Sequence, residues 1–346
     1  MTGVSSSVIQ FLKNWTLPIS MVMGVIGYFF IDALPLDETA QASVYDIISH
    51  HIQPVLLFCM LFLSFTKVDP HDMQPHRWQW WVLLCQTSMF ILFSLLAVHV
   101  SGYGEKILLE GAMLCFICPT ATASAVITGK LGGSVSGVTT YLLLCNLMVA
   151  LLGPVFLTMV EPRPELTFVT SFFMIMGKVF PLLICPLVLA WLVRFIMPKV
   201  HQWLLGKTGM AFYLWSVALA LAILVTVRSI MNTTVGMYYL LGLALISLVA
   251  CVFQFAVGKK IGTYYDSLPS TGDAERPRKN RITAGQAFGQ KNTVFVIWLG
   301  LVFLDPVTSV VGGLYSIWHN IINSYQLYKV RKAPSNSPTV EDREGK

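Results

Sequence analysis

The sequence predicts an all-α polytopic membrane protein with ten transmembrane helices. Of its 346 residues, 55% are hydrophobic and 12% are charged, whereas soluble domains are about one quarter charged. Ten apolar segments each approach the roughly 20 residues that a helix needs to cross a bilayer. Basic residues cluster in alternate connections between these segments, which is typical of a membrane protein and not of one that binds nucleic acid.

The ten segments follow one another with mostly short connections. The third begins directly after Arg77 in "RWQWWVLL", and its tryptophans are typical of a membrane interface. The fourth contains "CPTATASA" and the ninth contains "AGQAFGQKN", so these two are the least regular. The predicted spans are residues 17–35, 44–66, 78–101, 107–128, 135–160, 167–195, 210–228, 234–257, 283–303 and 306–328.

The distribution of charge predicts that both termini are cytoplasmic. With the N-terminus inside, most lysines and arginines fall in inside segments, and the outside loops carry only Lys106, Arg163 and Arg228. The stretch 258–281 is then a basic cytoplasmic loop, and the polar tail 333–346 is expected to be disordered. We therefore expect a multi-pass protein in the lipid bilayer of a bacterial inner (plasma) membrane.

Spans four and nine are predicted to be broken helices. In span four, Pro119 removes a backbone donor, and small or hydroxylated residues follow at 120–124. In span nine, Gly285 and Gly289 interrupt the apolar sequence among polar residues. Irregular backbone is tolerated inside a membrane where it is buried or lines a cavity, and matching interruptions in two halves indicate a transporter's binding site.

The positions of the two interruptions predict an internal repeat. Spans four and nine are equivalent if spans one to five and six to ten are copies, and an odd number of spans in each copy gives the two copies opposite orientations. The predicted units are a first five-helix repeat at 1–166, an inverted second repeat at 167–332 and a cytoplasmic tail at 333–346.

Lys291 is the residue least suited to its apolar surroundings. In "FGQKN" a cation stands between two amides, in the first half of span nine. Ionisable groups inside a bilayer are costly and usually face the protein interior or a water-filled cavity, which favours a functional site. Two interpretations stay open at this point. The ammonium lies in a polar cluster with Gln290 and Asn292, or the side chain extends to the cytoplasmic interface.

At these segments the sequence resembles the bile acid:sodium symporter family. Family members carry a proline and a small-residue stretch ending in Ser-Asn in span four, here Pro119 to Ser124 followed by Ala125. Span nine of the family reads Glu-x-Gly-x-Gln-Asn, here residues 287–292, and span ten has a Tyr-Ser-Ile-aromatic stretch, here "LYSIWHN". The resemblance implies a core of spans 3, 4, 5, 8, 9 and 10 around the crossing of the broken helices. Spans 1, 2, 6 and 7 form a panel, and substrate binds between the two.

The resemblance also implies two bound sodium ions, but several family ligands are missing here. The Asn of span four is Ala125, the Glu of span nine is Ala287, and the Gln of span nine is Lys291. Hard cations need oxygen ligands, and an ammonium among those ligands repels them. The weak sodium candidates that remain are Ser124, Thr140 and Gln86.

The lost acid and the gained base lie one helical turn apart, at 287 and 291. We hypothesise that the Lys291 ammonium replaces the charge of a bound sodium, so that transport is sodium-independent, or proton-coupled if Lys291 titrates. A sodium-coupled symporter with a reduced site is the alternative. An alignment shifted by one residue places Gln286 and Gln290 at the Glu and Gln positions of the family, and it too lacks the carboxylate.

The function we expect is secondary transport of a small organic anion by alternating access. There are then no catalytic residues, and no cofactor other than Na⁺ or H⁺ as coupling ion. The anion follows from the resemblance and from intramembrane cations such as Lys178, deep in span six, whereas Glu110 is expected at the interface. The predicted substrate- or ion-binding residues are Thr122, Ala123, Ser124, Thr139, Thr140, Gln290, Lys291, Asn292, Gln86, Lys178 and His319.

Two other classes of function stay open. One is a non-transporting membrane sensor of the same fold. The other is a membrane redox enzyme that uses the C-x-x-C of Cys115 and Cys118. Cysteines inside apolar helices more often pack as small hydrophobic residues, which disfavours the enzyme.

Overall fold

The computed structural model describes residues 16–207, 210–265 and 276–332, and every regular element in these ranges is a helix. The predicted tail at 333–346 lies outside the described residues. Two short 3₁₀ helices occur at Pro70–Asp72 and Pro306–Ser309. The longer helices are α1 Thr16–Asp32, α2 Glu38–Phe65, α3 Arg77–His99, α4 Tyr103–Ile117, α5 Ala123–Lys130, α6 Val135–Val160, α7 Phe168–Ile196, α8 Pro198–Leu205, α9 Met210–Met231, α10 Met237–Tyr264, α11 Arg276–Gly289, α12 Thr293–Phe303 and α13 Val310–Lys332.

Six of these helices are long and apolar enough to cross a membrane, among the residues described: α2, α3, α6, α7, α9 and α10. Predicted spans four and nine do not reach that length because each is divided into two helices, α4 with α5 and α11 with α12. The described residues therefore form an all-helical membrane protein. Each of the ten predicted spans overlaps at least one of the helices α1 to α13.

The helices pack in two groups. In the first, α1 lies along α9, α9 also contacts α2, and α2 contacts α7. In the second, α10 packs against α4, α11 and α13, and α3 packs against α4 and α6. Contacts between α6 and α7 join the groups. This division corresponds to the panel and the core that the resemblance implies.

Helix α12 lies between the two groups, where it contacts α13 of the second and α2 and α9 of the first. Every residue of "TVFVIWLG", 293–300, is buried. A helix that is hydrophobic on all sides is expected in the middle of a packed bundle rather than at its surface. The second predicted interruption immediately precedes this helix, so it is held in the protein interior.

Helices α10 and α11 approach each other closely at two glycines. A Cβ atom on Gly258 would lie 2.5 Å from the Ala284 carbonyl oxygen, and one on Gly262 would lie 2.5 Å from the Asn280 carbonyl oxygen. Helices in lipid associate largely by close van der Waals packing, which small residues permit. These glycines therefore fix the position of α11, and with it the interruption that follows.

We expect Gly258→Ala to lower the thermal stability of the detergent-solubilised protein. The new methyl group would collide with backbone that cannot move freely, and such overpacking costs about 1–3 kcal/mol. Gly177→Ala is the matched control, because a Cβ at Gly177 meets no atom within 4 Å. Equal melting temperatures for the two variants would contradict the close approach of α10 and α11.

Candidate functional site

The two interruptions lie side by side, and the broken spans cross there. Thr120, between α4 and α5, pairs with Lys291, between α11 and α12, as an antiparallel β-bridge. The Ala121 N–H donates to the Gln290 carbonyl at 2.9 Å. Helix ends leave backbone groups without a partner, and here the two interruptions supply partners to each other.

Local sequence explains where each helix stops. Proline disfavours helical geometry in the residue before it, and Cys118 accordingly has φ −52° and ψ 121°. The Pro119 carbonyl then accepts a hydrogen bond from the Asn292 N–H at 2.9 Å. The Asn292 side chain starts α12, because its Oδ1 accepts from the Phe295 N–H at 3.3 Å.

Side chains satisfy the carbonyls at the end of α11. The Thr120 hydroxyl donates to the Ala287 carbonyl at 2.6 Å. The Tyr315 hydroxyl, on α13, donates to the Gly289 carbonyl at 2.9 Å. A side chain of the first interruption and one of α13 therefore hold the end of α11 at the crossing.

Lys291 is buried at the crossing. Its side chain is 1% exposed, and its Nζ donates to Gln86 Oε1 at 2.9 Å. The Nζ also lies 5.0 Å from the centroid of the Phe288 ring, whose face attracts a cation. The side chain therefore belongs to a polar cluster and does not extend to the cytoplasmic interface.

Gln86 connects the lysine to three parts of the core. Its Oε1 accepts a second hydrogen bond from the Tyr141 hydroxyl, at 2.8 Å, on α6. Its Nε2 donates to the Cys118 carbonyl at 3.2 Å and lies 3.1 Å from Cys145 Sγ. One amide on α3 thus contacts α6, the first interruption and the cation of the second.

The electrostatic character of the crossing follows from the residues around Lys291. Within the described ranges no carboxylate forms an ion pair with it. Ala287 and Lys291 are not neighbours one helical turn apart as expected, because α11 ends at Gly289. Ala287 is fully buried and contributes only a methyl group. A protonated Lys291 therefore adds one positive charge that neutral oxygen and an aromatic ring stabilise.

The predicted site residues of spans four and five fall into three groups. Ser124 is fully buried, and its Oγ has no hydrogen-bond partner among the described residues. Thr139 and Thr140 donate to carbonyls of their own helix at 2.8 and 2.9 Å. Thr122 is partly exposed and Ala123 is exposed, at the start of α5. Of these five, Ser124 is the one with an unused buried oxygen.

Lys178 and His319 lie away from the contact between Lys291 and Gln86. Lys178 is exposed, and its Nζ lies 5.9 Å from the centroid of the Phe303 ring. His319 is buried on α13, where its ring lies edge-on to Tyr315 at 5.8 Å. His319 therefore borders the residue that supports the second interruption.

The geometry favours the unshifted alignment of span nine. Gln286 Nε2 donates to Asn323 Oδ1 at 3.0 Å, so this side chain faces α13. Gln290 is buried, and its Oε1 has no partner among the described residues. It is Lys291 that contacts Gln86.

Cys115 and Cys118 are free thiols buried at the end of α4. The Cys118 thiol donates to the Asn292 carbonyl at 3.3 Å. The Cys115 carbonyl accepts from Gln254 Nε2 at 3.1 Å. Both residues thus take part in packing and backbone bonding around the crossing.

A cavity of about 460 Å³ lies on the predicted outer side, and the sequence did not single it out. We call it the outer cavity. It separates α2 and α9 from the start of α4 and the end of α12. The wall formed by α2 includes the π-helical turn Ile48–Ile52, a geometry often found at functional sites. Its charged and aromatic lining residues are Tyr45, Asp46, His50, Tyr103, Arg228 and Asp305.

Arg228 lines the outer cavity. From the sequence alone it was expected only as a charge in an outside loop. Its guanidinium lies 4.0 Å from the centroid of the Tyr45 ring, a stacked arrangement that orients it. His50 Nδ1 lies 3.0 Å from Asp46 Oδ1. The signal in the sequence was an arginine in the last turn of an apolar helix, which becomes informative once the facing helix is known.

We expect Gln86→Leu to destabilise the protein by about 3 kcal/mol, because it leaves the buried Lys291 ammonium without its acceptor. Adding Lys291→Met should recover much of that loss, since apolar groups then replace both partners. Thermal unfolding in detergent measures both effects.

Gln79→Leu provides the matched control for this cycle. Gln79 is a fully buried glutamine of the same helix, and its Nε2 donates to the Gly137 carbonyl at 2.8 Å. Lys291→Met should not rescue it. Strictly additive effects of Gln86→Leu and Lys291→Met would contradict the contact.

The family model that matches the chain is described as "Sodium Bile acid symporter family", and it covers residues 54–238. This match spans more than half of the chain, from within α2 to the start of α10. It includes the first interruption and Gln86, and it ends before Lys291. No curated protein matches the chain. With this match, the all-helical fold and the apolar spans, the chain is a membrane protein of a transporter family and belongs to the sodium bile acid symporter family.

Proposed function

We propose that the protein is a secondary transporter of a small organic anion that works by alternating access, with the Lys291 ammonium in the place of a bound sodium ion. The observation that carries this proposal is the 2.9 Å contact from Lys291 Nζ to Gln86 Oε1 at the crossing. Lys291 stands where the family has a sodium-binding Gln. An ammonium and a hard cation both bind to such side-chain oxygens.

The residues around Lys291 do not fit a sodium ion beside it. The Gln86 oxygen already accepts two hydrogen bonds, from Lys291 and Tyr141, and residue 287 offers no carboxylate. Two unit charges 4 Å apart repel by about 4 kcal/mol at an effective dielectric constant of 20. This arrangement favours transport that does not require sodium at this position.

A second candidate function is a sodium-coupled symporter with a reduced site. It is favoured by the buried Ser124 Oγ, which has no partner among the described residues. It is disfavoured by Ala125 and Ala287, which replace two family ligands. A membrane sensor of the same fold would share the crossing but would move no substrate.

The proposed architecture is that of ten spans in two inverted repeats, 1–166 and 167–332, with both termini in the cytoplasm of a bacterial cell. The paired interruptions support it, because they fall at equivalent positions of the two halves and bond to each other. The crossing then lies near the middle of the membrane.

Arg228 in the outer cavity supports an anionic substrate, because the two carboxylates of the lining already have partners, Asp46 in His50 and Asp305 in Tyr103. Its volume of about 460 Å³ is in the range of sites for small organic molecules. It lies between the two groups of helices, so movement of one group against the other changes its shape. Arg228 offers a guanidinium in this cavity, and guanidinium groups bind carboxylates and related anions in a bidentate manner.

We expect uptake into proteoliposomes to persist when sodium is replaced by potassium at equal ionic strength. Anions that stabilise the purified protein in a thermal-shift screen are the substrates to test, because a ligand of the native state raises stability. Uptake in the two media should agree within about twofold, a difference of about 0.4 kcal/mol. A strict requirement for an inward sodium gradient would overturn the proposal.

The variant Ala287→Glu with Lys291→Gln restores the two missing family residues of span nine and serves as the matched control. It should gain a stabilisation that rises with sodium concentration, because it supplies a carboxylate and an amide in place of the ammonium. Ala287→Glu alone should not, since the Lys291 ammonium stays at the crossing and repels a sodium ion there. Sodium stabilisation of the unmodified protein equal to that of the double variant would contradict the role given to Lys291.

We expect Arg228→Gln to raise the anion concentration for half-maximal uptake about tenfold, the effect of losing about 1.4 kcal/mol of binding. Lys178→Gln should change it little, because Lys178 is exposed and does not line the outer cavity. The reverse result would place the anion near Lys178 instead.

A further inference from the structure

Glu110 is a buried carboxylate that the proposed function does not use. The sequence suggested an interfacial position, but the side chain is 1% exposed. The reason is tertiary packing, because α3, α10 and the 3₁₀ helix at Pro306–Ser309 all contact α4. Acids inside membrane helices are rare and usually mark pathways for ions or protons.

A single ammonium faces two carboxylates at this place. Lys106 Nζ lies 3.7 Å from Glu110 Oε1, one turn away on α4. The same Nζ makes a closer ion pair with Glu161 Oε1, at the end of α6. With both acids ionised, this group of three carries a net charge of −1, and most of the attraction of Lys106 goes to Glu161.

The Glu110 oxygens are left without hydrogen-bond donors. Neither oxygen has a hydrogen-bond partner among the described residues. The neighbouring Glu161 carboxylate can bond to Glu110 only if one of the two acids carries a proton. A proton shared by the two acids would provide the missing hydrogen bond. It would also bring the net charge of Lys106, Glu110 and Glu161 to zero.

Other titratable groups at this end of the bundle have hydrogen-bond partners other than Glu110. The Tyr103 hydroxyl donates to Asp305 Oδ2 at 2.6 Å, and the Tyr239 hydroxyl of α10 donates to Glu105 Oε1 at 3.2 Å. His99, at the end of α3, contacts a carbonyl of its own helix at 2.7 Å. Lys106 is therefore the cation that faces Glu110, and Asp305 adds a further negative charge nearby.

Protons can reach this pair from the outer side. Tyr103 and Asp305 line the outer cavity, and both lie close enough to Glu110 to interact with it electrostatically. Lys106 and Glu161 are 26% and 35% exposed. Glu110 is also connected to the crossing, because α4 continues without interruption to Ile117, about 10 Å further along the helix at 1.5 Å per residue.

We propose that Glu110 and Glu161 bind one proton between them, taken from water at the outer end of the bundle where Lys106 and Glu161 are partly exposed, and that this proton is the coupling ion of the transporter. The second part rests on the function proposed above. In the binding step a hydronium ion gives its proton to a carboxylate oxygen, which leaves water and a carboxylic acid. Removal of a buried net charge favours the protonated state inside the membrane.

Infrared difference spectra of the purified protein, recorded between acidic and alkaline buffer, test the proton site. We expect a carbonyl band of a buried carboxylic acid that Glu110→Gln abolishes. Glu105→Gln, which removes an exposed acid on the same helix, should leave the band unchanged. A band that survives Glu110→Gln, or the absence of any such band in the unmodified protein, would overturn the site.

Glu161→Gln is a second variant with a different expected result. It leaves Lys106 to pair with Glu110 alone, so the acid band should weaken at neutral pH rather than vanish. An unchanged band would show that the two acids do not share the proton. These spectra need neither substrate nor sodium, so their outcome is independent of the sodium experiment.

Uptake in sodium-free medium tests the coupling. An acidic exterior should accelerate entry of the same anion used in the sodium experiment, and Glu110→Gln should lose this acceleration while Glu105→Gln keeps it. Uptake that is insensitive to the pH gradient would remove the proton as coupling ion. The sodium-independent function would still stand.

Discussion

The structure depends on one constraint, which is that backbone polar groups in a hydrocarbon environment must find partners within the protein. Two helices that stop inside a membrane would each leave carbonyl and amide groups unpaired. In this chain the two interruptions solve the problem together, through the bonds from Ala121 to Gln290 and from Asn292 to Pro119. The buried position of α12 and the close packing of α10 on α11 follow, because both interruptions must be brought to the same point.

Much of this arrangement could be predicted from the sequence because its signals are local. A proline at 119 and a glycine at 289 show where helices stop, whereas Gly285, expected to interrupt span nine, lies within α11. The length of each apolar segment shows where the helices span. The contact from Lys291 to Gln86 could not be predicted, because it joins residues 205 positions apart. The interior position of Glu110, in the middle of α4, also depends on its neighbours, since the helices that pack against α4 decide which of its side chains are buried.

The buried charges of Lys291 and Glu110 have different surroundings, and this difference suggests different roles. Lys291 has an acceptor oxygen and an aromatic face, so its environment suits a charge that stays. Glu110 has no donor among the described residues and shares its nearest cation with Glu161. Its environment therefore suits a group that gains and loses a proton.

A cation that is part of the chain behaves differently from one that binds from solution. The occupancy of a dissociable ion follows its concentration, and so does the stability that the ion confers. The Lys291 ammonium is covalently attached to the chain at the crossing. Its local concentration there is therefore fixed by covalent geometry. Under the proposed function, the crossing therefore assembles without a bound sodium ion, and an ammonium that never leaves carries no ions down a gradient. The free energy for concentrating a substrate would then enter the protein at a site other than the crossing.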